Sequence, residues 1–314
     1  MKQTTLFAAL AAIFAPLTEA VTYPLQQFTN FGPNPTNVTF KAYIPSNLTD
    51  SPSVIVALHH CTSSGEDYST FTKYAALSAA NNFIVIYPTS PATCFDVHTN
   101  ETLTHDAGGD SLGIASMVRY AIDNLNVDPK KVFATGTSLG GMMVEGADFW
   151  SNACANGTLV KTAQAWGDQV LAGYPEFQGT RPRLQVWHGT GDHTLLPINL
   201  AEANKQWSNV FEISFTRNNT NTPLPGYTQM VFGDGTEYVA YSAEGVGHAV
   251  PMREGDVLAW FGITGNEGLK PSIHDSTILY RSSPIIVTSI ALFVIELSSS
   301  AIYKRGRVDV AIRY

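Results

Sequence analysis

With 314 residues, 44% of them hydrophobic and 14% charged, the chain can bury one large α/β core or two small ones. A formal net charge of -8 repels polyanions, and no basic run interrupts the central part of the chain. Both features argue against nucleic acid as a partner. The polar remainder, rich in Asn, Thr, Ser and Gly, suits a soluble extracellular protein.

Residues 1–20 read as a cleaved signal peptide. Lys2 supplies a positive n-region, Leu6 to Leu17 an apolar stretch too short to span a bilayer, and Thr18-Glu19-Ala20 a small-residue cleavage site. Secretion would present five sequons to the glycosylation machinery, at Asn37, Asn47, Asn100, Asn156 and Asn218. Val54 to Leu58 is a short continuous apolar run, the pattern of a strand buried on both faces. A helix is expected around Asp67 to Asn81, then a second buried strand at Phe83 to Tyr87. The polar, glycine-bearing segment from Thr89 to Asp110 reads as a long functional loop. A helix over Leu112 to Asn124 leads to a strand at Lys131 to Thr135. Further on come a strand at Arg183 to Trp187, a helix near Pro197 to Asn209, and strands at Tyr227 to Phe232 and Glu237 to Ser242. Strands alternating with helices imply a mostly parallel sheet covered on both faces. Three cysteines, Cys61, Cys94 and Cys154, allow one disulfide in an oxidising compartment and leave an odd thiol.

Gly136-Thr137-Ser138-Leu139-Gly140 matches the nucleophile elbow G-x-S-x-G. In that motif a serine sits on a tight strand-to-helix turn, and the glycines relieve crowding where the backbone doubles back. The competing reading is an ordinary Gly/Ser turn, but the buried strand ending at Thr135 favours the elbow. A serine hydroxyl needs a base, and the base needs a group to orient it. In this motif's fold the order along the chain is Ser, acid, His. Asp192 follows a strand in His188-Gly189-Thr190-Gly191-Asp192, and His248 follows the last strand in Gly245-Val246-Gly247-His248. Ser138, Asp192 and His248 are therefore the expected triad. The oxyanion hole should pair the backbone amide of Leu139 with one from the loop His59-His60-Cys61-Thr62, from either Cys61 or Thr62. No metal site is expected at His59 and His60, since the remaining histidines lack ligand spacing. Trp150, Trp166, Trp187, Trp207 and Trp260 could stack on sugar rings, but packing is the commoner role of tryptophan.

Several segments together resemble the fungal acetylxylan esterases of the first carbohydrate-esterase family, which includes feruloyl esterases and is similar to polyhydroxybutyrate depolymerases. They are Leu58 to Thr62, Thr93-Cys94-Phe95-Asp96-Val97, Thr104 to Ser111, the Ser138 elbow, Arg181 to Gly189, and Val246 to Pro251. The resemblance runs from about Tyr23 to Ile263. It implies an α/β-hydrolase three-layer sandwich, secretion, no cofactor, and removal of acetyl groups from the xylan of plant cell walls through an acyl-enzyme; the chain is expected to be a monomer. It also implies that Cys61 pairs with Cys94.

The chain departs from that pattern twice. Only 54 residues separate Ser138 from Asp192, roughly thirty fewer than the family's helix end, strand and loop require. One core strand after the nucleophile helix is therefore expected to be missing, and with it the usual partner of Cys154. The esterase domain is expected to close at residue 263. Residues 264–314 then form a tail with no recognisable module, either a mistranslated segment from misplaced exon boundaries or a membrane anchor near Ile285 to Tyr303. Glu296 within that run argues against the anchor. Two alternatives to acetyl removal stay open, namely feruloyl ester cleavage with the same triad and a catalytically impaired, carbohydrate-binding relic.

Overall fold

The computed structural model describes residues 23–141 and 152–264 and the backbone of residues 308–313. The expected signal peptide, the residues just after the nucleophile turn, Trp150 and most of the tail lie outside the described residues.

Ten strands form one sheet. In chain order they are β1 (Gln26–Phe28), β2 (Thr39–Tyr43), β3 (Ser53–Leu58), β4 (Phe83–Thr89), β5 (Val132–Thr137), β6 (Leu184–Gly189), β7 (Phe215–Thr220), β8 (Tyr227–Phe232), β9 (Tyr238–Ala243) and β10 (Val308–Arg313). Their spatial order is β1-β2-β4-β3-β5-β10-β6-β9-β8-β7. The six central strands from β4 to β9 are mutually parallel. Antiparallel pairs close both ends.

Every residue of β3, β5 and β6 is buried, so these strands carry apolar side chains on both faces rather than alternating with polar ones. Along β3, Val54, Val56 and Leu58 enter one core, while Ile55 and Ala57 enter the other. The first core is covered by α4 (Gly109–Asn124) through Ile114, Met117, Val118 and Ala121, and by α7 (Ile198–Val210) through Leu200, Ala203, Trp207 and Val210. The second is covered by α1 (Gly65–Phe71), α2 (Tyr74–Asn81) and α8 (Glu254–Trp260) through Tyr68, Tyr74, Val257 and Leu258. Helices on both faces of a largely parallel sheet make the three-layer α/β arrangement that the alternation predicts. Three short or intermediate helices complete the order, α3 (Asn100–Leu103), α5 (Asn152–Ala155) and α6 (Ala163–Ala172).

Two differences from the sequence reading have local causes. The helix expected over Asp67 to Asn81 is broken at Thr72, whose extended backbone caps α1 while its hydroxyl donates to the Tyr68 carbonyl. The Lys73 N–H then donates to Glu254 Oε1, from α8, instead of continuing a helical ladder. The second difference is larger. Among the described residues no strand lies along the chain between Ser138 and β6, and residues 142–151 of that interval lie outside them. Yet the sheet position expected to stand empty is taken by β10. Val308 to Arg313 run parallel to Val132 to Thr137 on one side, and Val310 to Arg313 run parallel to Leu184 to Trp187 on the other. Both inner edges are thereby paired, which a buried ladder requires. Among the described residues no helix is long and apolar enough to cross a membrane, and the candidate anchor at 285–303 lies outside them.

Candidate active site

The site lies at the carboxyl ends of β5, β6 and β9. β5 ends at Thr137, and a single 3-10 turn from Ser138 to Gly141 follows at once. Ser138 has φ 56, a left-handed backbone that a residue with a Cβ adopts at a cost. Two glycines make the turn sterically feasible. A Cβ on Gly136 would lie 2.0 Å from the Gly140 carbonyl oxygen, and one on Gly140 would lie 2.2 Å from that of Leu58. The second contact presses the nucleophile turn against the end of β3, where His59 to Thr62 begin.

Asp192 is carried by the turn after β6 and His248 by the loop after β9. The two loops are joined by backbone. Thr190 N–H donates to Ala243 and Gly191 N–H to Val246, while the Gly245 N–H donates to the Thr190 hydroxyl. A Cβ on Gly189 would strike the Val246 carbonyl at 2.1 Å, so close approach of the two loops depends on glycine there. This contact brings the third side chain within reach of the first. Ser138 Oγ is 3.0 Å from His248 Nε2, and His248 Nδ1 is 2.8 Å from Asp192 Oδ2.

The acid is wholly enclosed, whereas the His248 side chain keeps 19% of its surface. Burial alone would raise the Asp192 pKa. Hydrogen bonds from His188 and His248, the attraction of the His248 ring and the Leu195 amide outweigh it and hold the carboxyl well below the usual carboxylate range. Its other oxygen accepts the amides of Thr194 and Leu195, each at 2.8 Å. His188 was not among the residues expected at the site. Its place four residues before Asp192, in the same strand-end segment, is the signal that could have revealed it.

The loop after β3 is pinned by a disulfide between Cys61 and Cys94, with Cα atoms 4.4 Å apart, the pairing that the resemblance implies. The Thr62 N–H donates to the Thr93 carbonyl at 2.8 Å, across that bridge. His59 is buried against Phe95, with Nδ1 on the His60 carbonyl, and burial lowers its pKa to about 4. His60 Nδ1 lies on the Cys61 carbonyl. Both histidines thus shape the loop's backbone. Trp166, Trp187 and Trp207 are fully buried packing residues, with Trp187 stacked on Tyr241. Cys154 is buried in α5. All five sequon asparagines are exposed.

No family model matches this chain. Known proteins do resemble it. It is 39% identical over 272 residues to a feruloyl esterase B of Talaromyces funiculosus, covering 76% of this chain and 77% of that one. It is 40% identical over 277 residues to a probable acetylxylan esterase A of Aspergillus terreus, covering 76% and 88% respectively. The solved acetyl xylan esterase from Aspergillus awamori superposes with a TM-score of 0.74 at 37% identity, covering 77% of this chain and 100% of that one.

Proposed function

The chain belongs to the family of fungal acetylxylan esterases and B-type feruloyl esterases, carboxylic-ester hydrolases, and from that premise we propose that it is a secreted enzyme removing acetyl groups from acetylated xylan. The observation that carries this reading is the unbroken line from Ser138 Oγ through His248 to Asp192. Ser138 Oγ attacks the acetyl carbonyl carbon while its proton passes to His248 Nε2. Asp192 holds the ring by its Nδ1–H and stabilises the charge that the ring gains. Collapse of the tetrahedral intermediate breaks the bond to the sugar oxygen, which takes the proton from Nε2. Water, deprotonated by the same nitrogen, then releases acetate from the serine ester.

The oxyanion is held by the Leu139 amide and one from the loop after β3. Of the two candidates there, Thr62 has its N–H on Thr93, so the reading assigns the role to Cys61. Contact of Gly140 with Leu58 and His59 keeps these two amides on adjoining backbone. Secretion fits the Cys61–Cys94 bridge and the exposed sequons.

The relatives carry two activities in their names, so acyl preference is the point to test. The secreted chain should release acetate from acetylated xylan faster than it releases ferulate from methyl ferulate. The reverse order makes it a feruloyl esterase. Ser138→Ala should lower turnover of both by at least about a thousandfold and abolish labelling by a serine-directed phosphonate. Undiminished labelling in that variant would remove Ser138 from the mechanism.

A further inference from the structure

Asp192 is met by two imidazoles, and the triad uses only one. His188 is the fifth residue of β6 and is 1% exposed. Its Nε2 lies 2.9 Å from the Leu195 carbonyl oxygen and 3.4 Å from Asp192 Oδ2. Both neighbours are acceptors, so Nε2 carries the hydrogen, donated to the Leu195 carbonyl with the carboxylate oxygen beside it. Oδ2 is the oxygen that also receives His248 Nδ1–H. The carboxylate thus accepts three hydrogen bonds, from Thr194 and Leu195 on Oδ1 and from His248 on Oδ2, and His188 Nε2 stands 3.4 Å from Oδ2 as a fourth polar neighbour.

The donors come from different elements. The two amides belong to the turn that carries Asp192, His248 to the loop after β9, and His188 to β6. The first three belong to loop segments, whereas His188 sits in a buried strand. A group in that place does two things for the reaction. It sets the rotation of the carboxylate plane, so that Oδ2 faces His248. It also takes up part of the carboxylate's negative charge.

The geometry points to His188 as a positioning residue for the catalytic acid, a second imidazole that turns Asp192 toward His248. This rests on the triad reading above. It assigns no proton transfer to His188, whose hydrogen stays on Nε2 throughout.

The test uses the full chain and 4-nitrophenyl acetate, with kcat/KM measured against pH. His188→Leu removes the donor at similar volume. It should lower kcat/KM about ten- to hundredfold and move the acid limb of the profile to higher pH, because a less neutralised carboxylate favours protonated His248. His188→Gln places an amide N–H near the Nε2 position and should keep the limb where it is. His188→Asn reaches only the Nδ1 position and should behave like leucine. Folding of each variant is read from its melting temperature. If leucine does not fold, the glutamine and asparagine pair still decides. An unmoved limb in asparagine, a limb moved equally in glutamine, or a glutamine chain that fails to fold reduces His188 to packing and overturns the inference. His248→Ala separates the two levels. Activity surviving in that variant defeats the triad reading itself, whereas an inactive His248→Ala beside an unaltered His188→Leu defeats only the role of His188.

Discussion

The nucleophile strand β5 has two neighbours that reach it by opposite routes. β3 comes from upstream in the chain, is buried on both faces, and ends in the loop that carries the disulfide and the proposed oxyanion amide. β10 comes from the far end of the chain, beyond the last residue of the family resemblance. The backbone treats them alike. β3 pairs from Val54↔Val132 to Leu58↔Gly136, and β10 pairs from Val308↔Val132 to Arg313↔Thr137, both parallel. A position inside a parallel sheet is defined by the donors and acceptors of its flanking strands, which carry no record of where in the sequence a partner originates. Closing a longer loop adds little entropy, since each doubling costs only about 0.6 kcal/mol. The two neighbours differ in what they bring besides the ladder. β3 leads directly into the site, whereas β10 joins the strand of the nucleophile to the strand of the acid.

The largest effect is therefore expected from removing β10. A chain ending at Gly306 would leave the inner edges of β5 and β6 unpaired at the centre of the sheet. Each buried, unsatisfied backbone group costs about 1–3 kcal/mol, and a handful would exceed the roughly 5–15 kcal/mol by which a domain is stable. The truncated chain should lose its cooperative melting transition, accumulate as aggregate, and take no phosphonate label at Ser138. A shortened chain that melts and labels like the full one would show that β5 and β6 need no strand from the tail.

On the β3 side the expected damage is local. Gly140→Ala sets a methyl group 2.2 Å from the Leu58 carbonyl oxygen and 2.6 Å from that of His59. The neighbours are backbone, so relief requires the nucleophile turn to move away from β3. The expected loss is about 3 kcal/mol of stability. A fall of about a hundredfold in kcat should accompany it as the Leu139 amide leaves its partner. Chemical denaturation and turnover of 4-nitrophenyl acetate measure the two separately. Normal kcat in a destabilised Gly140→Ala protein would mean that the contact holds the fold alone.

The same contrast marks what the sequence could disclose. β3 and β4 are legible as short apolar runs, and β5 and β6 as shorter apolar stretches between polar residues. Ser138, Asp192 and His248 are legible as a candidate triad because each follows a strand, with a glycine one or two residues away. The break at Thr72 depends on Glu254, far along the chain, and no local pattern records it. β10 is hidden for a related reason. Val308 to Arg313 is a six-residue segment whose partners lie in β5 and β6, and nothing in its own residues names them. His188 was written in the segment that disclosed Asp192, yet the strand expected at Arg183 to Trp187 stops one residue short of it, whereas the observed strand runs on to Gly189. Its second role depends on the fold of the turn that brings the carboxylate back onto it.

The smallest effect is a pH dependence at the end of β3. His59 is fully buried, and its pKa is lowered from 6.5 to about 4, chiefly by burial and against the opposing bond to the His60 carbonyl. Between these values the unfolded chain binds a proton that the folded chain refuses, so stability falls as pH drops from about 6.5 to about 4. The full difference is on the order of 3 kcal/mol. Asp192 acts in a different window. Its folded pKa is depressed, so its contribution is complete above the ordinary carboxylate range and is lost only as pH falls below it. The two are therefore separable by titration. His59→Asn keeps a donor for the His60 carbonyl and removes the titration. Its stability at pH 7 should be lower through lost packing against Phe95, but the decline between pH 6.5 and 4.5 should flatten. Urea unfolding at a series of pH values reads that slope directly. A slope as steep in the asparagine variant as in the parent would assign the acid sensitivity to some other group and leave the end of β3 without one.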